Sequence, residues 1–351
     1  MLNIRESQRI DWSIFIPALL LLSLGIFILN SLSFLTPLYI LFVIFGIFAF
    51  LFFAKVDFEI LNIFSKILYI FSILFLLAPI FIGTATRGTT RWIQVGSLTI
   101  QPAEIVRPLL LVFFASYLVS GKKNVAHAVK GILLFLFPTF LILIQPSLGV
   151  TILTTFGFLG VLLASHFPRK YYLVGGALII LLLPLAWSLL ADYQKQRIIT
   201  FLTPGSDPQG VGYNSIQAMI SVGSGKISGR GLGRGIGTQL AFLPERQTDF
   251  IFASISEELG FVGAGLVLVL TFFILYRLIR IIQKSRDWVG RAYVAGFFLA
   301  LLAQVVIHVG MNMALMPITG VPYPLLSAGG SSLIATMIGL GIASSVSSSS
   351  T

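Results

Sequence analysis

Four carboxylates, Glu245, Asp249, Glu257 and Glu258, fall within 14 residues of a 351-residue chain that has only 12 acidic side chains. Directly after them, Leu259 to Tyr276 carries no charge. The cluster therefore sits where a loop enters an apolar segment of membrane-helix length. A charge at such a boundary is expensive and marks a functional site by default. A carboxylate held there can take the proton of an attacking hydroxyl. Asp249 is the candidate base. The same residue has a purely structural reading, because it follows Thr248 and precedes an apolar run. In that position it would cap the helix or complement its dipole.

Cations accompany the carboxylates. Arg91, Arg107 and Arg246 carry planar guanidinium forks suited to phosphate. Arg91 adjoins Trp92, an aromatic of the kind held at membrane interfaces. Glu104 and Arg107, three apart, share one helix face. They are either a structural ion pair or the lining of a polar cavity opened by Gln101-Pro102. The run Gly229-Arg230-Gly231-Leu232-Gly233-Arg234-Gly235 follows no strand and opens no βαβ unit, so it is no dinucleotide fingerprint. It is either a phosphate-wrapping loop or a flexible one. His127, His166 and His308 are far apart and suggest no metal site.

The positioning elements follow from composition. The chain is 57% hydrophobic and 10% charged, with mean hydropathy +0.99, against about 25% charged residues in a soluble domain. Lipid must solvate most of it. The net charge of +11 lies mainly between apolar runs, which excludes nucleic acid as the natural partner and points to charge placement across a membrane. There are no cysteines, hence no disulfide or thiolate chemistry. The first apolar run, Ile14 to Leu29, lacks a small-residue cleavage site and is expected to be a membrane helix, not a removable signal.

Ten spans are predicted, at 12–31, 36–54, 63–83, 103–120, 131–146, 148–165, 171–190, 251–277, 291–315 and 330–346. The fold class is thus an all-α integral membrane protein, residues 1–351 forming a single polytopic domain. The cation distribution puts both termini in the cytoplasm. It leaves 191–250 between spans seven and eight as a large extracytoplasmic loop, expected to fold as short helices and turns on the membrane. Long loops of this kind are usually functional.

The blocks Thr86-Arg-Gly-Thr-Thr-Arg-Trp-Ile, Gln101-Pro-Ala-Glu, Gln145-Pro-Ser-Leu-Gly, Phe201-Leu-Thr-Pro with Asp207-Pro, Gly223-Ser-Gly, Phe242-Leu-Pro-Glu, Thr248-Asp-Phe-Ile-Phe-Ala, Glu257-Glu-Leu-Gly-Phe, and Met316-Pro-Ile-Thr-Gly with Ala328-Gly-Gly-Ser-Ser follow one another along the chain. In this order they resemble the SEDS proteins (shape, elongation, division, sporulation), the ten-span peptidoglycan polymerases of bacteria. Thr238 to Glu245 and Pro317 to Pro322 look like the elongation type more than the division type. Where the family commonly has His, Asp, Lys and Tyr, this chain has Gln247, Ser147, Arg107 and Ala328. Arg107 keeps the cation with another shape, Ser147 removes a carboxylate, and Gln247 removes an imaginable imidazole partner.

The resemblance implies glycosyl transfer on lipid II, the undecaprenyl-pyrophosphate disaccharide-pentapeptide, at the outer face of the bacterial cytoplasmic membrane. It implies a class B penicillin-binding protein as partner and an essential aspartate at Asp249. Arg91, Trp92, Glu104, Arg107, Glu245, Arg246 and Glu257 are then expected to bind substrate. No metal is assigned; a divalent cation held by Asp249 stays open, without a clear ligand set. Two rival readings remain, a lipid II flippase using the same intramembrane charges, and a scaffold for other wall enzymes.

Overall fold

A computed structural model describes the chain apart from residues 1–9, 87–88, 97, 190–194, 197–198, 202, 204–210, 241 and 349–351. Arg87 and Arg197, two of the outer cations expected from sequence, lie outside the described residues. A helix stands at each of the ten predicted positions: α1 (Trp12–Ser31), α2 (Pro37–Lys55), α4 (Ser65–Ile82), α5 (Pro102–Ser120), α6 (Val125–Ile144), α7 (Leu148–Ala164), α8 (Arg169–Leu189), α11 (Ile251–Lys284), α12 (Trp288–Asn312) and α13 (Gly330–Ser348). Short α3 (Phe58–Ile63), α9 (Val211–Ser224) and α10 (Ile236–Gln239) lie between them. Eight of the described helices are long and apolar enough to cross a membrane, and α7, with 17 residues, is slightly shorter. The protein is a multi-pass membrane protein. α6 begins earlier than expected, at Val125, because Asn124 accepts the His127 amide at 2.9 Å and starts the helix ahead of its apolar run.

The outer helices turn large apolar side chains outward, among them Phe48, Phe81 and Phe140, each at least 60% exposed. Water would not tolerate such a surface, but lipid does. α5, α12 and α13 are the most enclosed helices. α13 combines Gly, Ala and Ser along its length, and small residues of this kind let membrane helices approach closely. At the end of the bundle carrying both described chain ends, Arg277 of α11 meets Asp11 at 2.7 Å. Ser347 of α13 donates to the same carboxylate at 2.9 Å.

Residues 84–100 depart from an all-α description. They form an antiparallel meander of β1 (Thr84–Thr86), β2 (Thr89–Val95) and β3 (Leu98–Ile100). Ile93 pairs with Ile100 and Val95 with Leu98. The signal was present: β-branched and aromatic residues in a short run, then Gly96 at φ +62° in the turn.

One feature of α11 places the site. The helix is not continuous; Gly260 interrupts it with φ +67° and ψ −162°. The segment after α9 enters the break. The amides of Arg230 and Gly231 donate to the carbonyls of Glu257 and Glu258 at 2.9 and 3.0 Å, and those of Phe261 and Val262 donate to Lys226 and Ile227 at 2.9 and 3.2 Å. The orphan groups on both sides of the break are thereby satisfied, as backbone at membrane depth requires. Only glycine fits this contact. A Cβ on Gly225 would lie 1.7 Å from the Ser256 carbonyl oxygen, and one on Gly229 2.1 Å from that of Glu258.

Candidate active site

Asp249 lies in a tight turn just ahead of α11. Glu245 takes φ +51°, and its carbonyl accepts the amides of Thr248, Asp249 and Phe250 at 3.0, 3.0 and 3.2 Å. The Thr248 hydroxyl donates to the Glu245 carboxylate at 3.0 Å, so that side chain braces the turn. The next carbonyls are bonded from other elements. Ala328 N donates to Gln247 O at 2.9 Å, Ser327 Oγ to Thr248 O at 2.7 Å, and Asn312 Nδ2 to Asp249 O at 3.0 Å. Asp249 itself is half-buried. One carboxylate oxygen lies 3.6 Å from where a Cβ on Gly320 would stand.

α11 starts from Phe250, whose side chain caps nothing. Its Ala253 amide donates instead to Asn312 Oδ1, on α12, at 2.9 Å. The first turn is therefore capped from another helix.

Arg246, in the same turn, stacks 5.0 Å from the Phe34 ring. Its Nε is buried without a hydrogen-bond partner, and burial draws the guanidinium pKa down. Glu257 and Glu258 take another part. Both Glu257 oxygens accept backbone amides, from Gly237 and Thr238, at 2.9 Å each. Glu258 accepts from Ser31 Oγ at 2.7 Å, Gln239 Nε2 at 3.0 Å and Gly233 N at 3.3 Å. Both carboxylates are fully enclosed, and they tie the glycine-rich segment to α11. Glu257 is thus engaged by protein donors. The glycine run folds around these two acids, neither as a nucleotide fingerprint nor as a free loop.

Glu104, Arg107, Arg91 and Trp92 form a second group. Arg107 and Arg91 are the charged neighbours of Glu104. Glu104 and Arg107 are both buried, yet no ion pair joins them among the described residues; Arg107 donates to Gln304 Oε1 at 3.2 Å. Arg91 reaches Pro146 O at 3.4 Å and lies 5.9 Å from the Trp92 ring. Gln101 Nε2 donates to Ser147 Oγ at 3.0 Å, so Ser147 keeps a polar role in that turn.

A polar stripe on α12 connects the two groups, and sequence reasoning missed it. Gln304, His308 and Asn312 recur every fourth residue on one face, all fully buried. Gln304 Nε2 donates to Pro322 O at 2.9 Å, and His308 Nδ1 bonds Val321 O at 2.8 Å. Gln304 and Asn312 lie roughly 12 Å apart along the helix at 1.5 Å per residue. The Arg107 contact is therefore about two turns from the Asp249 contact. The signal was that spacing of polar residues inside an apolar span. Among the described residues no group of three His, Cys, Asp or Glu side chains converges as a metal site.

A multi-pass bundle with a broken helix, whose acids gather where a loop enters it, defines a membrane protein with a polar site at one end. The chain belongs to the FtsW/RodA/SpoVE family of cell cycle proteins, whose profile matches residues 9–351. It is 38% identical over 283 residues, 80% of this chain and 76% of the relative, to the peptidoglycan glycosyltransferase MrdB of Escherichia coli K12. Among solved structures it resembles a chain of a peptidoglycan synthase complex described as coordinating polymerization and crosslinking (TM-score 0.81, 30% identity, 96% of this chain and 97% of that one). It also resembles the rod shape determining protein RodA of Thermus thermophilus (TM-score 0.72, 26% identity, 97% of each chain).

Proposed function

We propose that this protein is a RodA-like peptidoglycan glycosyltransferase that polymerises lipid II into linear glycan strands, with Asp249 as the base. The acceptor 4-hydroxyl attacks the anomeric carbon of the donor sugar. A C–O bond forms there as the bond to pyrophosphate breaks, and the lipid pyrophosphate departs with the electron pair. The hydroxyl proton passes to the Asp249 carboxylate. A cation beside the leaving group stabilises its growing charge. Arg246, in the same turn, suits that task, and Arg91 and Arg107 are the other candidates, each of which also donates to a protein acceptor, Pro146 O and Gln304 Oε1. The observation that carries the reading is the division of labour among the acids. Glu257 and Glu258 are enclosed and tie the glycine-rich segment to α11, while Asp249 stands half-buried where the loop enters α11, in a turn whose carbonyls are held by Asn312, Ser327 and Ala328. The activity named for a 38% identical relative supports it.

Purified protein in detergent, given labelled lipid II, is expected to yield linear glycan. Detergent abolishes membrane sidedness, so a flippase would give no polymer, and that result would end the proposal. The described residues hold no soluble transpeptidase domain. A class B penicillin-binding protein is the partner expected to add cross-links, in keeping with the complex described for a similar structure.

The site is assigned to the outer face of the cytoplasmic membrane, both termini inside, on the cation distribution. Single cysteines at the exposed Ser228 and Lys122 test this in intact cells. Ser228→Cys should label with an impermeant maleimide from outside, and Lys122→Cys only after lysis. The reverse pattern would refute the orientation.

A further inference from the structure

We infer that Asn312 is a positioning residue for Asp249, assisted by Ser327. The inference rests on Asp249 as the base and goes beyond it, because it names what fixes that base.

A carboxamide at 0% exposure in a membrane span is costly unless its polar atoms are bonded. Asn312 satisfies this completely. Oδ1 accepts Ala253 N–H at 2.9 Å, and Nδ2 donates to Asp249 O at 3.0 Å and to His308 O at 2.7 Å. The two long-range bonds grip both ends of one helical turn, Asp249 and Ala253. A local Ser or Asp usually caps such a turn; here an Asn on α12 does so. Capping needs only the bond to Ala253. The bond to Asp249 O, made by the other end of the same carboxamide, completes a bridge across an i, i+4 pair, and it falls on the residue that carries the acid.

Ser327 acts one residue earlier. Its hydroxyl donates to Thr248 O at 2.7 Å and accepts Tyr323 N–H at 2.8 Å. With Ala328 N on Gln247 O, three successive carbonyls are held from outside their own segment. Asp has only two side-chain torsions, which occupy few wells once the backbone is set. Fixing the carbonyls of 247–249 therefore fixes the small volume the carboxylate can reach.

The test uses the full chain in detergent with labelled lipid II and measures kcat and KM separately. A catalytic group displaced by about 1 Å can lose about 10²-fold in rate, and Asn312→Ala is expected to lose kcat on that scale with KM unchanged. Ser327→Ala should show a smaller loss in the same parameter. Tyr69→Phe is the control. It removes a part-buried bond between helices, to Leu134 O at 2.9 Å, and should keep the wild-type kcat. Hydrogen exchange gives a readout independent of activity: Asn312→Ala should expose the Ala253 amide while the second half of α11 stays protected. Wild-type kcat in Asn312→Ala with lost protection at Ala253 would make Asn312 a cap alone. A raised KM at constant kcat, or an equal loss in Tyr69→Phe, would also overturn the positioning role. Wild-type protein that makes no glycan overturns the proposed activity itself.

Discussion

Asp249→Asn is expected to give a folded, stable protein that makes no measurable glycan from lipid II. Losing a helix cap costs about 0.5–2 kcal/mol, and Asn is itself a good cap. Asn312 also caps Ala253, and its bond to the 249 carbonyl survives the substitution. Loss of a general base removes about 10²- to 10⁴-fold, and a neutral amide accepts no proton at working pH. The pairing to look for is an unchanged thermal midpoint with polymerisation abolished. Glu245→Gln should do less, since an amide oxygen can still accept the Thr248 hydroxyl that now bonds the carboxylate. Wild-type polymerisation by Asp249→Asn would remove Asp249 from the chemistry and leave it a structural residue.

Gly225→Ala is expected to cost the fold itself. The new methyl would stand 1.7 Å from the Ser256 carbonyl oxygen, on a buried turn of α11. That oxygen belongs to helix backbone and cannot swing aside. Overpacking of a closed core costs about 1–3 kcal/mol. Pushing the segment out also strands the bonds it makes to both sides of the break at Gly260, each worth about 1 kcal/mol net and more when left buried and unpaired. Thermal unfolding and size-exclusion profiles in detergent should show a lowered midpoint and poor recovery, with activity lost alongside. Gly223→Ala is the comparison, since nothing lies within 4 Å of its added methyl, and it should behave as wild type. Equal stability of the two variants would show that the segment is not seated in α11 as described.

Much of this protein was legible in its sequence, for a local reason. A membrane span is recorded in one continuous apolar run, because every residue facing lipid must be apolar in its own right. The ten helices therefore stand where Ile14, Leu110 or Leu301 and their neighbours said they would. The acid cluster beside Leu259 was legible for the same reason, as charges at the edge of such a run. Tertiary structure alone decided what each acid does. Glu257 and Glu258 look like Asp249 in sequence, but amides of Gly237, Thr238 and Gly233 reach them from a segment that folds back through the break at Gly260. Arg107 donates to Gln304, 197 residues away, while no ion pair within hydrogen-bond reach joins it to Glu104 among the described residues. Asn312 meets Asp249 across 63 residues of chain. Hydropathy is a sum over neighbours along the chain, whereas a hydrogen bond depends on two atoms within about 3 Å, and only the packing of α11 on α12 brings those atoms together.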